Sequence, residues 1–150
     1  MKRFLFASAL FLLASIATAQ VQVKEPWVRA TVPQQKATGA FMQLSSPKDA
    51  RLVQVRSPVA GVVELHEMAM QNDIMRMRAV REIAIGAGKA TELKPGGYHV
   101  MLMDLKQQLK EGDTVPLTLV IEGSDGRRET LQVNAPVRPL TTPGHGTSKH

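Results

Sequence analysis

The sequence predicts an all-β domain, an antiparallel β-sandwich or barrel, on three observations. Short apolar runs recur along it, several of them alternate in polarity, and clusters of turn-forming residues separate them. Sustained helical periodicity is absent from these runs. Residues 1–19 stand outside the domain. Lys2 and Arg3 precede an apolar run over residues 4–16, and Ala17-Thr18-Ala19 supplies a small-x-small cleavage signal. The run is shorter than the roughly 20 residues a membrane helix needs, so it reads as a signal peptide removed on export.

From there the elements follow in order. Residues 21–32 carry apolar positions at Val21, Val23, Trp27 and Val28, with Pro26 predicting an edge position or a bulge. Residues 39–44 form a short apolar strand ended by Ser45-Ser46-Pro47. Residues 50–55 form another, with a start that helix could also claim, stopped by Ser57-Pro58. Strands are expected over 62–70, 74–80, 98–105, 116–122 and 130–134. Between them lie Gln71-Asn72-Asp73, Gly86-Ala87-Gly88, Pro95-Gly96-Gly97, Glu111-Gly112-Asp113 and residues 123–126. Seven to nine strands result. Beyond Pro136 the composition shifts to Pro, Thr, Gly, Ser and His, and residues 141–150 read as a disordered tail, leaving 20–140 as one domain.

Composition excludes several functions. The sequence contains no Cys, so an exported domain of this size has no disulfide staple and no lipid-acceptor thiol. A blue-copper electron-transfer site, which needs a Cys thiolate, is excluded on the same ground. The net charge of +6 falls to +4 once Lys2 and Arg3 are removed. The remaining basic residues are scattered and lack interleaved aromatics, so nucleic acid is not an expected partner. A basic surface would still favour an acidic protein partner.

Six of the eight methionines fall between Met68 and Met103, in the segments Leu65-His66-Glu67-Met68-Ala69-Met70, Ile74-Met75-Arg76-Met77 and Tyr98-His99-Val100-Met101-Leu102-Met103. Thioether sulfur is a soft ligand and imidazole a borderline one, a combination that suits Cu(I). Side chains two apart on a strand share a face. His99 therefore shares one with Met101, Met75 with Met77, and His66 with Met68 and Met70. If Gln71-Asn72 were a two-residue turn, His66 would face Met77 and Met68 would face Met75. A three-residue turn would pair His66 with Arg78 instead, and the Asn-Asp dipeptide does not decide between them. Taken singly, each of these residues is better explained by packing or by a structural hydrogen bond; their conjunction points to a metal site.

The spacing is His66, ten residues, Met77, twenty-one residues, His99, one residue, Met101. In this the sequence resembles the periplasmic copper chaperones of the PCu(A)C family, whose ligand signature it matches at every spacer. The resemblance spans nearly the whole chain after residue 20. It includes Trp27-Val28-Arg29, Thr38-Gly39-Ala40-Phe41-Met42, Leu93-Lys94-Pro95-Gly96-Gly97-Tyr98 and Glu111-Gly112-Asp113. It implies a cupredoxin-like antiparallel β-sandwich with Greek-key topology. It also implies one Cu(I) held near the surface by His66, Met77, His99 and Met101. The implied partner is the copper-bearing subunit of cytochrome c oxidase, or another copper chaperone, and the expected state is a monomer.

Neutral His and Met ligands leave the copper charge uncompensated, which suits a carrier that releases its ion to Cys- or His-rich acceptors. Ligands carried on strands imply a largely preformed site. Met103 is expected in the core and Met68 at a partly exposed rim. His145 and His150 in the tail read as a solvated end, with Cu(II) binding there as the alternative. No acid/base or nucleophile pair is apparent around the site, so an enzyme is not expected. Glu67 and Asp104 fall on opposite strand faces from their neighbouring candidate ligands; Glu64 shares the face of His66 and reads as a solvated strand residue. A copper storage or resistance protein, and a metal-free Ig-like interaction module, are the competing readings.

Overall fold

A computed structural model of the chain describes residues 21–141. The expected signal peptide over 1–19 and the tail histidines His145 and His150 lie outside the described residues. Among the described residues there are ten strands and no helix. In chain order they are β1 (Gln22–Arg29), β2 (Ala37–Ser45), β3 (Ala50–Arg56), β4 (Ala60–Gln71), β5 (Ile74–Val80), β6 (Ile83–Ile85), β7 (Ala90–Leu93), β8 (His99–Leu105), β9 (Thr114–Gly123) and β10 (Arg128–Arg138).

The strands run in the order β5-β4-β8-β2-β1-β10-β9-β3-β6, with β7 against the second half of β2. All pair antiparallel except β1 with β10, which meet in parallel at Val28–Val137 and Arg29–Arg138. That parallel pair joins a layer of β5, β4, β8, β2 and β1 to a layer of β10, β9, β3 and β6. Val28, Leu44, Leu52, Val100, Leu102, Leu117, Leu119 and Ile121, drawn from both layers, are buried to 1% exposure or less. They pack into one core. At about 25 cal/mol per Å² of apolar surface removed from water, this burial is what replaces a disulfide.

The all-β sandwich expectation holds. The start of β3 is strand throughout, not helix. Two strands lie outside the sequence expectation: β6 has three residues and β7 four, too short to show a period. Pro26 marks a bulge, not an edge. β1 lies between β2 and β10, and its register with β2 shifts between Lys24 and Trp27. Glu25 takes a φ of 49° there, the extra residue that lets a chain with Pro26 stay inside a layer.

The bulge decides which side of the layer Trp27 occupies. Val28 points into the core, so Trp27 lies on the outer face, yet it is fully buried. Its cover is local: the Phe41 ring at 4.6 Å, with the Arg29 and Arg138 guanidinium groups each 5.6 Å from the indole centroid. Phe41 in turn lies down along its own strand over Gly39. A Cβ on Gly39 would come within 2.6 Å of Phe41 Cζ. Only a glycine leaves room for the ring, and the ring is held in place by Trp27. Gly39→Ala is therefore expected to lower stability by about 1–3 kcal/mol through overpacking, read as a fall of several degrees in the thermal midpoint. An unchanged midpoint would mean that Phe41 can move aside freely.

Candidate metal centre

Strands β5, β4 and β8 are neighbours, and directly paired residues on adjacent strands share a face. On β4 and β8 the pairs His66–His99 and Glu64–Met101 fix a common outer face. On β4 and β5 the pairs Met68–Met77 and Met70–Met75 extend it. The same face continues onto β2 through Gly39, the partner of Met101, and Phe41. All six methionines of the 68–103 segment and both histidines thus lie on one side of the layer. Leu65, Val100 and Leu102 on the other side fill the core.

The hairpin register differs from both expected alternatives. Its turn residues are Asn72 and Asp73, between the paired Gln71 and Ile74. Their φ values are 51° and 62°, the left-handed pair that a tight two-residue hairpin turn demands and that Asn and Asp tolerate best after glycine. The shift is by two residues, so the faces are preserved while the partners change. His66 stands opposite Ala79, and Met77 stands opposite Met68. Met103 also departs from expectation. It pairs with Val62 and Ala37 on the outer side and is only partly buried. Alternation from Met101 carries it away from the core, and Met42 is the buried core methionine instead. Met68 is partly exposed, as expected.

Met77 reaches across β4 to the imidazole of His99, with its Sδ 3.2 Å from Nε2. His99 is 5% exposed, and its Nδ1 lies 3.0 Å from the carbonyl oxygen of Gly97. A carbonyl can only accept, so the proton of the neutral ring sits on Nδ1 and the Nε2 lone pair faces sulfur. Burial lowers the pKa of His99 below the ordinary 6.5; the Gly97 hydrogen bond opposes this in part, and the nearby His66 ring adds to it. The neutral form therefore prevails at pH 7.

His66 mirrors this arrangement. Its ring centroid is 5.8 Å from that of His99, and its Nε2 lies 2.7 Å from a Glu64 carboxylate oxygen. The carboxylate takes the Nε2 proton as acceptor, which leaves Nδ1 of the neutral ring with a lone pair. That atom is buried and has no hydrogen-bond partner among the described residues, a state that costs about 1–3 kcal/mol for an ordinary polar group. Glu64, read from sequence as a solvated strand residue, is thus the group that orients His66. Met101 completes the group on the same face two residues beyond His99, flanked by Gly39 and Glu64. Phe41, 6.2 Å from the His99 ring, walls the inner side. Glu67 points to the other face, where it pairs with Arg78.

Among the described residues no three His, Asp or Glu side chains converge. A metal held here has to use thioethers, which favours a soft monovalent ion over zinc or a hard cation. Among the described residues, no helix is long and apolar enough to cross a membrane.

Comparison with known proteins places the chain in a family. The model of the LpqE-like family matches residues 21–137. Protein Lxx21020 of Leifsonia xyli is 34% identical over 122 residues, covering 81% of this chain and 71% of that one. The solution structure of CuI-DR1885 from Deinococcus radiodurans is 36% identical, covers 81% of each chain and superposes with a TM-score of 0.61. The copper-bound PCuAC domain from PmoF2 shares the fold at 22% identity, with a TM-score of 0.65 over 81% of this chain and 96% of that one. The chain therefore belongs to the LpqE-like family, the family of the PCu(A)C domains that its His and Met spacing resembles.

Proposed function

We propose that this protein is an exported copper chaperone carrying one Cu(I) on His66, Met77, His99 and Met101. The observation that carries the reading is the 3.2 Å approach of Met77 Sδ to His99 Nε2. With the His99 proton directed at Gly97, two electron-pair donors face each other with no hydrogen between them, an arrangement that a cation turns from repulsive to favourable. His66 Nδ1, buried without a partner among the described residues, supplies a third lone pair in the neutral ring. The relative CuI-DR1885, by its name a Cu(I) form, supports the choice of metal.

Two neutral imidazoles and two thioethers hold a soft ion without trapping it as thiolates would, which favours release. The acceptor we propose is the copper-bearing subunit of a respiratory oxidase, met in the periplasm after removal of residues 1–19. No step of bond-making or bond-breaking chemistry is assigned to the protein; its work is to bind, shield and pass on the ion.

Anaerobic titration against a Cu(I) chelator should show one tightly held equivalent, weakened at least about 100-fold in His66→Ala/His99→Ala. Full retention by that variant would overturn the ligand set. Mixing the loaded protein with a purified oxidase copper domain should move the copper across; retention would instead indicate storage. Glu64→Ala should weaken Cu(I) binding by about 10–100-fold, the range for loss of a group that orients a metal-bound histidine. Glu67→Ala, on the opposite face, should leave it unchanged. Equal effects of the two would remove the positioning role.

The lowered pKa of His99 gives a pH prediction. The folded state binds this proton less readily than the unfolded chain does. The stability contributed by the neutral ring is therefore complete above pH 6.5 and is lost as pH falls from there toward the folded value. NMR titration of the His99 ring in the metal-free protein should give a midpoint below 6.5, and a midpoint at or above it would contradict the burial argument.

A further inference from the structure

The β4–β5 hairpin has two unlike faces. One carries Glu67, Arg76 and Arg78, with Glu67 and Arg78 ion-paired, as a solvated strand pair should. The other carries Met68, Met70, Met75 and Met77, which face one another in two directly opposed pairs. Met70 is 64% exposed and Met75 47% exposed. Exposed positions on a hairpin gain nothing from packing, and charged or β-branched polar residues would be better solvated there. The Met70–Met75 pair also lies beyond the reach of the sandwich core. The one property these side chains share, and Leu or Thr would lack, is a soft sulfur donor.

Directly opposed Cβ atoms in an antiparallel pair are roughly 4.5–5.5 Å apart. Two thioethers so placed can meet at one ion, and Met68, next to Met70 on the same face of β4, supplies a third. We propose that Met68, Met70 and Met75 form a second site, a three-thioether site for Cu(I) at the hairpin tip. The inference rests on the reading of His66, Met77, His99 and Met101 as the principal site, because it places the tip site in series with it. Met68 is the cross-strand partner of Met77, so the tip site adjoins a principal ligand through a continuous row of sulfur. Lacking imidazole, the tip binds more weakly and exchanges faster. It is the place where an ion enters or leaves, exposed where a partner can reach it.

The test uses Ag(I), which mimics Cu(I) without redox chemistry, added to the protein labelled with ¹³C at the methionine methyls. The first equivalent should move the Met77 and Met101 methyls and the second those of Met68, Met70 and Met75. Met70→Leu/Met75→Leu, at exposed positions that tolerate the change, should abolish the second step and keep the first. In His66→Ala/His99→Ala, one Ag(I) should still bind, at the tip. Tip methyls that stay unmoved at two equivalents in both the unsubstituted protein and this double variant overturn the proposal. If instead the tip responds while Met77 and Met101 never move, the principal-site reading fails and the tip site stands.

Discussion

His99 keeps its proton on Nδ1 because the Gly97 carbonyl lies 3.0 Å away, and the chemistry of the outer face depends on that bond. Were the proton on Nε2, the ring would point a weak donor at the Met77 sulfur and the pair would be an ordinary structural contact. With Nε2 bare, the same 3.2 Å distance sets two donors against each other. Burial then keeps the ring neutral at the pH of the periplasm we propose as its compartment. His66 is prepared in the same way by a different group, with Glu64 taking the place that Gly97 fills for His99. In the neutral form each ring thus presents one bare nitrogen, held by partners on the same layer.

The packing beneath explains why that layer can hold a site at all. Trp27 and Phe41 form a second cluster outside the main core, roofed by Arg29 and Arg138. The cluster walls the inner side of the site at Phe41, beside His99. Gly39 is the position that permits it, since a side chain there would displace the ring. On the outward side nothing comparable among the described residues covers the hairpin, and Met77 is 52% exposed. The site is therefore walled by aromatic rings on one flank and open on the other. An ion held there is shielded from beneath and accessible to a partner from above.

The two-residue period of a strand makes most of this face legible in the sequence itself. Alternation groups His99 with Met101, Met75 with Met77, and His66 with Met68 and Met70, and the strand pairings bring these groups onto one face. Alternation does not supply register. Gln71-Asn72-Asp73 contains three turn-forming candidates, and only the left-handed φ of both Asn72 and Asp73 identifies the turn. For Met103, apolarity argues for the core while alternation from Met101 argues for the outer face, and alternation wins. β6 and β7 are too short for periodicity to register. The role of Glu64 depends on a side-chain hydrogen bond, which no spacing in a sequence encodes, although the face it shares with His66 is readable.

Two bare nitrogens and two sulfurs on this face are taken to make one copper site. Copper K-edge X-ray absorption on the protein loaded with one equivalent of Cu(I) tests this most directly. The expected spectrum shows a shell containing two imidazole nitrogens and two thioether sulfurs. A shell with no sulfur, or with sulfur and no imidazole, would contradict it.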